Sequence, residues 1–183
     1  VSLFAAPALA DEYDPLYPEK LSEGHLNATA AILIEADTGD VIFEKNADAL
    51  MYPASTTKIL TSWLALSLAD GTLEQQITVS DRAVNIASDE SSAKLAAGEQ
   101  MRLIDLLYAA MLLSGNDAAN AIAEGMGGSV ENFVNLMNQA AAALGCTATH
   151  FANPSGIHDD NHYTTARDIF IIACEGMRHQ LFA

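Results

Sequence analysis

The chain has 183 residues, 24 of them acidic and 8 basic, for a formal charge of −16. That length suffices for one domain with a sizeable core, and a composition that is half hydrophobic excludes a disordered chain. So acidic a surface repels phosphate backbones and argues against nucleic acid as a partner.

In chain order, residues 1–10 (VSLFAAPALA) read as the remnant of a secretory signal peptide. A short apolar stretch is followed by the small-x-small pattern Ala8-Leu9-Ala10 and then by Asp11-Glu12. Residues 11–26 are polar and irregular, with Pro15 and Pro18. Thr29 to Glu35 and Val41 to Lys45 read as a hairpin around Asp37-Thr38-Gly39-Asp40. From Ile59 to Ala69 the sequence ILTSWLALSLA carries no charge, which predicts a helix buried nearly all round and stopped at Asp70-Gly71. Gln76 to Val79 is a short strand, followed by a brief helix capped by Ser80 or Asp81, and 87–98 form a polar loop. A helix is expected from Arg102 to about Leu113. Its core face runs through Leu103, Leu107, Ala110 and Met111 and reaches Ser114 at i+11. The helix breaks at Gly115, and Asn116-Asp117 caps the next, which runs to about Met126. Ser129 caps a further helix from Val130 to Leu144, ended by Gly145, and Thr164 or Thr165 caps a last one from Ala166 to Met177. No stretch reaches the ~20 apolar residues of a membrane span. Cys146 and Cys174 read as free, buried cysteines rather than a disulfide.

Ser55 and Lys58 stand one turn apart at the head of the buried helix, where i and i+3 share a face. A serine is a weak nucleophile until a base stands beside it, and a desolvated lysine has the lowered pKa that a base requires. The spacing alone is a weak signal, because Ser91-x-x-Lys94 repeats it in a polar loop with no buried helix behind. Ser55 could equally serve as a plain N-cap, and Ser114-Gly115-Asn116 as an inter-helix turn. Taken together, Ser55, Lys58, Ser114 and Asn116 outweigh those readings. His158 and His162 are spaced i, i+4, but Pro154, Gly156 and Asp159-Asp160 make the segment a loop, so no metal site is expected. Glu131 has a faint likeness to a deacylating glutamate, yet sits in an ordinary amphipathic helix.

These motifs carry a resemblance. PASTTK, LLSGNDAANAIAE, THFANPSGIHDDNHYTTARDI and ILIEADTGDVIFEKNAD resemble the low-molecular-mass penicillin-binding proteins, serine D-alanyl-D-alanine carboxypeptidases, over about residues 27–178. The resemblance implies an α/β (α+β) serine β-lactamase/transpeptidase-like fold: an N-terminal hairpin and helical region, with 27–183 a partial catalytic domain. The family's Lys-Thr-Gly is nowhere in the 183 residues, so truncation at both ends is expected, with the C-terminal sheet strands missing. The implied catalytic residues are Ser55 as nucleophile, Lys58 as base and Ser114 as proton relay, with Asn116 binding substrate and no cofactor. The implied partners are the peptidoglycan stem peptide and, as inhibitors, β-lactam antibiotics. Membrane association would come only through a C-terminal anchor that these residues do not reach, and the location is extracytoplasmic. The rivals are a β-lactamase of the same superfamily and a non-catalytic module that binds wall peptide or β-lactam. A third reading concerns the 183 residues alone: an inactive or poorly folded piece without its last strands.

Overall fold

The computed structural model describes residues 26–182 except positions 36 and 70. The signal remnant expected over 1–10 and the irregular segment over 11–26 lie outside the described residues, apart from Leu26. So does Asp70, at the expected end of the buried helix.

The first element is the expected hairpin. β1 (Ala31–Ile34) and β2 (Val41–Lys45) pair antiparallel, Ala31 opposite Lys45 and Ile34 opposite Val41, with a bulge between Leu33 and Ile34. Glu35 closes the turn, its side chain accepting from the Thr38 N–H and its carbonyl from the Gly39 N–H.

A 3-10 turn (Ala54–Thr56) leads into α1 (Thr57–Leu68), which packs against every other helix: α2 (Leu103–Leu112), α3 (Asn116–Gly127), α4 (Val130–Ala143) and α5 (Ala166–Arg178). Its Leu60, Leu64 and Ala65 lie in one core with Leu106, Ile122, Phe133, Met137 and Ile172. Fully burying each such aliphatic or aromatic side chain stabilises the fold by about 1.5–3 kcal/mol. Yet α1 is not apolar all round. Thr57, Lys58, Thr61 and Ser62 are all buried, giving the helix a polar seam inside the protein. Among the described residues no helix is long and apolar enough to cross a membrane.

The last two helices start as their caps predict. Ser129 accepts from the Asn132 N–H and Thr165 from the Asp168 N–H. Asp168, itself buried, also accepts from the Ala148 N–H and the Thr149 hydroxyl, tying α5 to the loop after α4.

Four local expectations are corrected. The C-cap of α1 is Ala69, with φ −80, and Gly71 adopts its positive φ only two residues later. After Ser80 there are turns rather than a brief helix, because the Ser80 hydroxyl accepts from the Ala83 N–H and closes the chain locally. The helix expected from Arg102 starts at Leu103 with Arg102 as its N-cap, and Arg102 also ends a strand that was not expected, β4 (Gln100–Arg102), antiparallel to β3 (Gln76–Thr78). α3 is capped by Gly115, not by Asn116-Asp117, whose side chains are engaged elsewhere. The β3–β4 pair has a larger effect than its length suggests. It pinches the base of the 79–99 loop, with Val79 and residues 98–99 extending the pairing, and so fixes where the loop tip can reach.

Candidate active site

Ser55 stands on the 3-10 turn and Lys58 in the first turn of α1. Side chains at i and i+3 nearly eclipse in a 3-10 turn, and here the Lys58 Nζ lies 3.3 Å from the Ser55 Oγ. Ser55 is not the helix cap. That place is held by Thr56, which makes no side-chain cap bond and donates its hydroxyl to the Pro53 carbonyl.

Lys58 is 2 % exposed, and its Nζ is ringed by four oxygens. The Asn116 Oδ1 and the Ser155 carbonyl are at 2.8 Å, while the hydroxyls of Ser55 and Ser114 are at 3.3 Å. The two hydroxyls also meet each other, Ser114 Oγ donating to Ser55 Oγ at 2.8 Å. Burial pushes the Lys58 pKa from 10.5 down to about 8, against the opposing pull of the Glu90 and Asp117 carboxylates. In the neutral amine, two N–H groups suffice for Asn116 and Ser155. The lone pair then faces the two serine hydroxyls, a geometry in which the amine can take a hydroxyl proton.

Ser114 arrives by a route that helical periodicity does not describe. α2 stops at Leu112, and Met111 on the expected core face is 45 % exposed. Ser114 lies beyond the helix with φ +55, a left-handed conformation rare outside glycine, and that turn delivers its hydroxyl to Lys58. Gly115 beside it leaves room for the 79–99 loop: a Cβ there would stand 3.1 Å from Ala93 and 2.9 Å from the Asp117 carboxylate. The Asn116 N–H donates to the Ser91 carbonyl. Asp117 accepts from the Ser92 hydroxyl and from the N–H groups of Ala93, Leu95 and Ala118. Burial alone would raise its carboxyl; those hydrogen bonds outweigh it and hold the group below the usual carboxylate range.

The loop 153–157 also borders the site, and it is knotted by one side chain. Asn153 Oδ1 accepts from the N–H groups of Ser155 and Gly156 and from the Ser155 hydroxyl, while its Nδ2 donates to the Ile157 carbonyl. The loop then presents carbonyls to the polar seam of α1: Pro154 to the Thr61 hydroxyl, Ser155 to Lys58. Gly156 has φ +88 and touches the neighbour of Ser55 so closely that a Cβ would fall 1.8 Å from the Ala54 carbonyl oxygen. Ala54 is itself left-handed, φ +48.

His162 is buried against the same seam. Its Nδ1 accepts from the Ala152 N–H, which leaves Nε2 to donate to the Thr57 hydroxyl at 2.8 Å. Burial pushes its pKa down to about 4. The histidine thus orders the start of α1, while its sequence neighbour in spacing, His158, lies on the surface edge to face with Tyr52 at 4.6 Å. Ser91 and Lys94 are both exposed. Glu131 pairs with Arg82 on the surface, its side chain 62 % exposed. The cysteines are free; Cys146 is buried but Cys174 only half-buried, because the Cys174 face of α5 packs less completely.

The four residues singled out as a site from the sequence are therefore brought together, and four further groups around it were not assigned to it: Glu90, Asp117, His162 and the Ser155 carbonyl. In the sequence Asp117 reads as part of a helix cap and His162 as half of a metal-like spacing, while Asn153-Pro154-Ser155-Gly156 is a run of strong turn formers.

Gly156→Ala combines a backbone collision with a positive φ and is expected to cost about 3 kcal/mol or more in a denaturant titration. A loss below about 1 kcal/mol would show that the loop gives way. His162 makes a separate prediction about acid. Above pH 6.5 both folded and unfolded imidazole are neutral. Between 6.5 and about 4 only the unfolded chain binds the proton, so stability falls as pH falls. The share of His162 in that slope should approach about 1.4 kcal/mol per pH unit and be missing from His162→Gln. Equal slopes in the two proteins would refute this.

A family model described as D-alanyl-D-alanine carboxypeptidase (Peptidase_S11) matches residues 18–182. The chain is 36% identical over 165 residues to D-alanyl-D-alanine carboxypeptidase DacF of Bacillus subtilis, covering 88% of this chain and 42% of that protein. With DacC of Escherichia coli the identity is 37% over 177 residues, covering 93% and 43%. Among solved structures, DacD from Francisella tularensis superposes with a TM-score of 0.81 at 34% identity, covering 96% of this chain and 42% of that one. The Streptomyces K15 DD-transpeptidase does so with 0.81 at 32%, covering 87% and 64%. The chain thus spans less than half the length of these two curated relatives. From the hairpin to α5, its sequence and its fold are those of the D-alanyl-D-alanine carboxypeptidase family, to which this chain belongs.

Proposed function

We propose that this chain carries two walls of a serine D-Ala-D-Ala carboxypeptidase site acting on peptidoglycan stem peptides outside the cytoplasm. The observation that carries the reading is the buried Lys58 amine, within 3.3 Å of two serine hydroxyls and with a pKa near 8. The family's Lys-Thr-Gly strand would complete the cleft.

The Ser55 Oγ attacks the carbonyl of the penultimate D-Ala while its proton passes to Lys58. The Ser55 N–H, ahead of α1, is one donor to the tetrahedral oxyanion. On collapse the C–N bond breaks. The departing D-Ala nitrogen takes a proton from the Ser114 hydroxyl, which recovers it from Lys58. The Asn116 amide holds the peptide. Water then attacks the acyl-enzyme, giving up a proton to the Lys58–Ser114 pair, which passes it to the Ser55 Oγ as the C–O bond breaks and the shortened peptide leaves. β-Lactams, which imitate the D-Ala-D-Ala end, acylate the same hydroxyl and leave slowly.

In the full-length gene product, a fluorescent penicillin should label the parent and Ser91→Ala but not Ser55→Ala. Labelling that survives Ser55→Ala would sink the assignment. Release of D-Ala from a stem pentapeptide separates a carboxypeptidase from a silent binding module, and rapid turnover of penicillin would point to a β-lactamase instead.

Acylation should also follow the neutral fraction of Lys58. Its rate constant should climb with pH through a midpoint near 8 and level off above, since loss of the Lys58 proton creates the base. A flat profile, or a midpoint near the ordinary lysine value, would remove Lys58 from that role.

A further inference from the structure

Asn116 is held between two charged groups of opposite sign. Its Oδ1 accepts from the Lys58 Nζ at 2.8 Å, and its Nδ2 donates to the Glu90 Oε2 at 2.8 Å. A carboxylate can only accept and an ammonium only donate. The amide therefore has one permitted orientation, since flipping it would set oxygen against carboxylate and NH2 against ammonium. That changes when Lys58 gives up its proton, because a neutral amine can accept as well as donate. In the deprotonated state Glu90 alone forbids the flip.

Glu90 is itself fixed for the task. Its Oε1 accepts from the Ala87 N–H at 3.1 Å, and its own N–H donates to the Ala87 carbonyl. The loop is anchored below it by Ser91 on the Asn116 N–H and by Ser92, Ala93 and Leu95 on Asp117. Among the described residues no hydrogen bond uses the second N–H of the Asn116 amide, which stays available to a peptide carbonyl.

We propose that Glu90 is a positioning residue of the Ser55–Lys58 site, locking the Asn116 side-chain amide with its oxygen on Lys58 and its second N–H free for substrate. The charged groups around Lys58 are Glu90 from the 79–99 loop and Asp117 from α3; the 3-10 turn, the Ser114 turn and the Ser155 loop contribute neutral oxygens. His162 reaches α1 at Thr57, one residue away. Asp117 is committed to the loop backbone, so removing the Glu90 charge leaves Lys58 less favoured as a cation.

The acylation part of the test rests on the function proposed above; the titration part does not. In the full-length protein, Lys58 is titrated through its 13Cε NMR signal in the parent, Glu90→Gln and Glu90→Ala. The midpoint should move down by roughly half a pH unit or more in both variants. On the plateau above that midpoint, acylation by a fluorescent penicillin should fall on the order of tenfold to a hundredfold in Glu90→Ala. Glu90→Gln, which keeps an acceptor for Asn116, should restore most of it. Unchanged midpoints in both variants, or parental acylation in Glu90→Ala, would overturn the assignment. If the parent itself resists acylation, the proposed function fails while the titration still decides the place of Glu90.

Discussion

The structure turns on how a lysine amine is kept out of water without being tied to a carboxylate. An isolated buried ammonium costs several kcal/mol, and the usual remedy is an ion pair. Lys58 takes a different one: its contacts are a side-chain amide oxygen, a backbone carbonyl and two hydroxyls, with Glu90 and Asp117 acting without contact. A touching carboxylate would hold the proton on the amine. Neutral oxygens tolerate either protonation state, and burial is then free to bring the pKa to about 8.

The fold supplies that environment through the polar seam of α1. The apolar residues of the helix bury it among four others, and the seam of Thr57, Lys58 and Thr61 faces His162 and the Pro154 and Ser155 carbonyls. Two residues of the candidate site, Ala54 and Ser114, sit in left-handed backbone although neither is glycine. Each such residue costs of order 1 kcal/mol or more, tolerated where the surroundings leave no alternative. The knot of hydrogen bonds on Asn153, and the Gly156 contact that admits no Cβ, provide such surroundings for Ala54.

The elements legible in the sequence were those whose signal is local. The uncharged run from Ile59, the caps Ser129 and Thr165, and the hairpin around Gly39 each announce themselves within a few residues. Ser55 and Lys58 were legible because they share one turn. Ser114 was singled out and lies beside Lys58, but it gets there by a route other than the expected one, since periodicity cannot anticipate a left-handed residue after a helix end. β4 was hidden because three residues are too few for an alternation. Glu90 stood in a polar acidic loop 26 residues from its partner Asn116, and the short β3–β4 pairing that aims the loop was itself invisible. The Ser155 carbonyl could not be read at all, because every residue carries one.

The separations along the chain have a consequence for the order in which reactivity arises. Lys58 is held by residues 56, 58 and 97 positions away, so its environment exists only after the turn at Ser114 and the loop at Ser155 have docked on α1. Before that, a hydrated lysine keeps its ordinary pKa of about 10.4 and remains protonated at neutral pH. On the function proposed above, Ser55 then has no base beside it. A nascent or partly folded chain would on that proposal be inert toward acyl donors, and covalent capture by a β-lactam would report on completed tertiary structure rather than on the mere presence of the polypeptide.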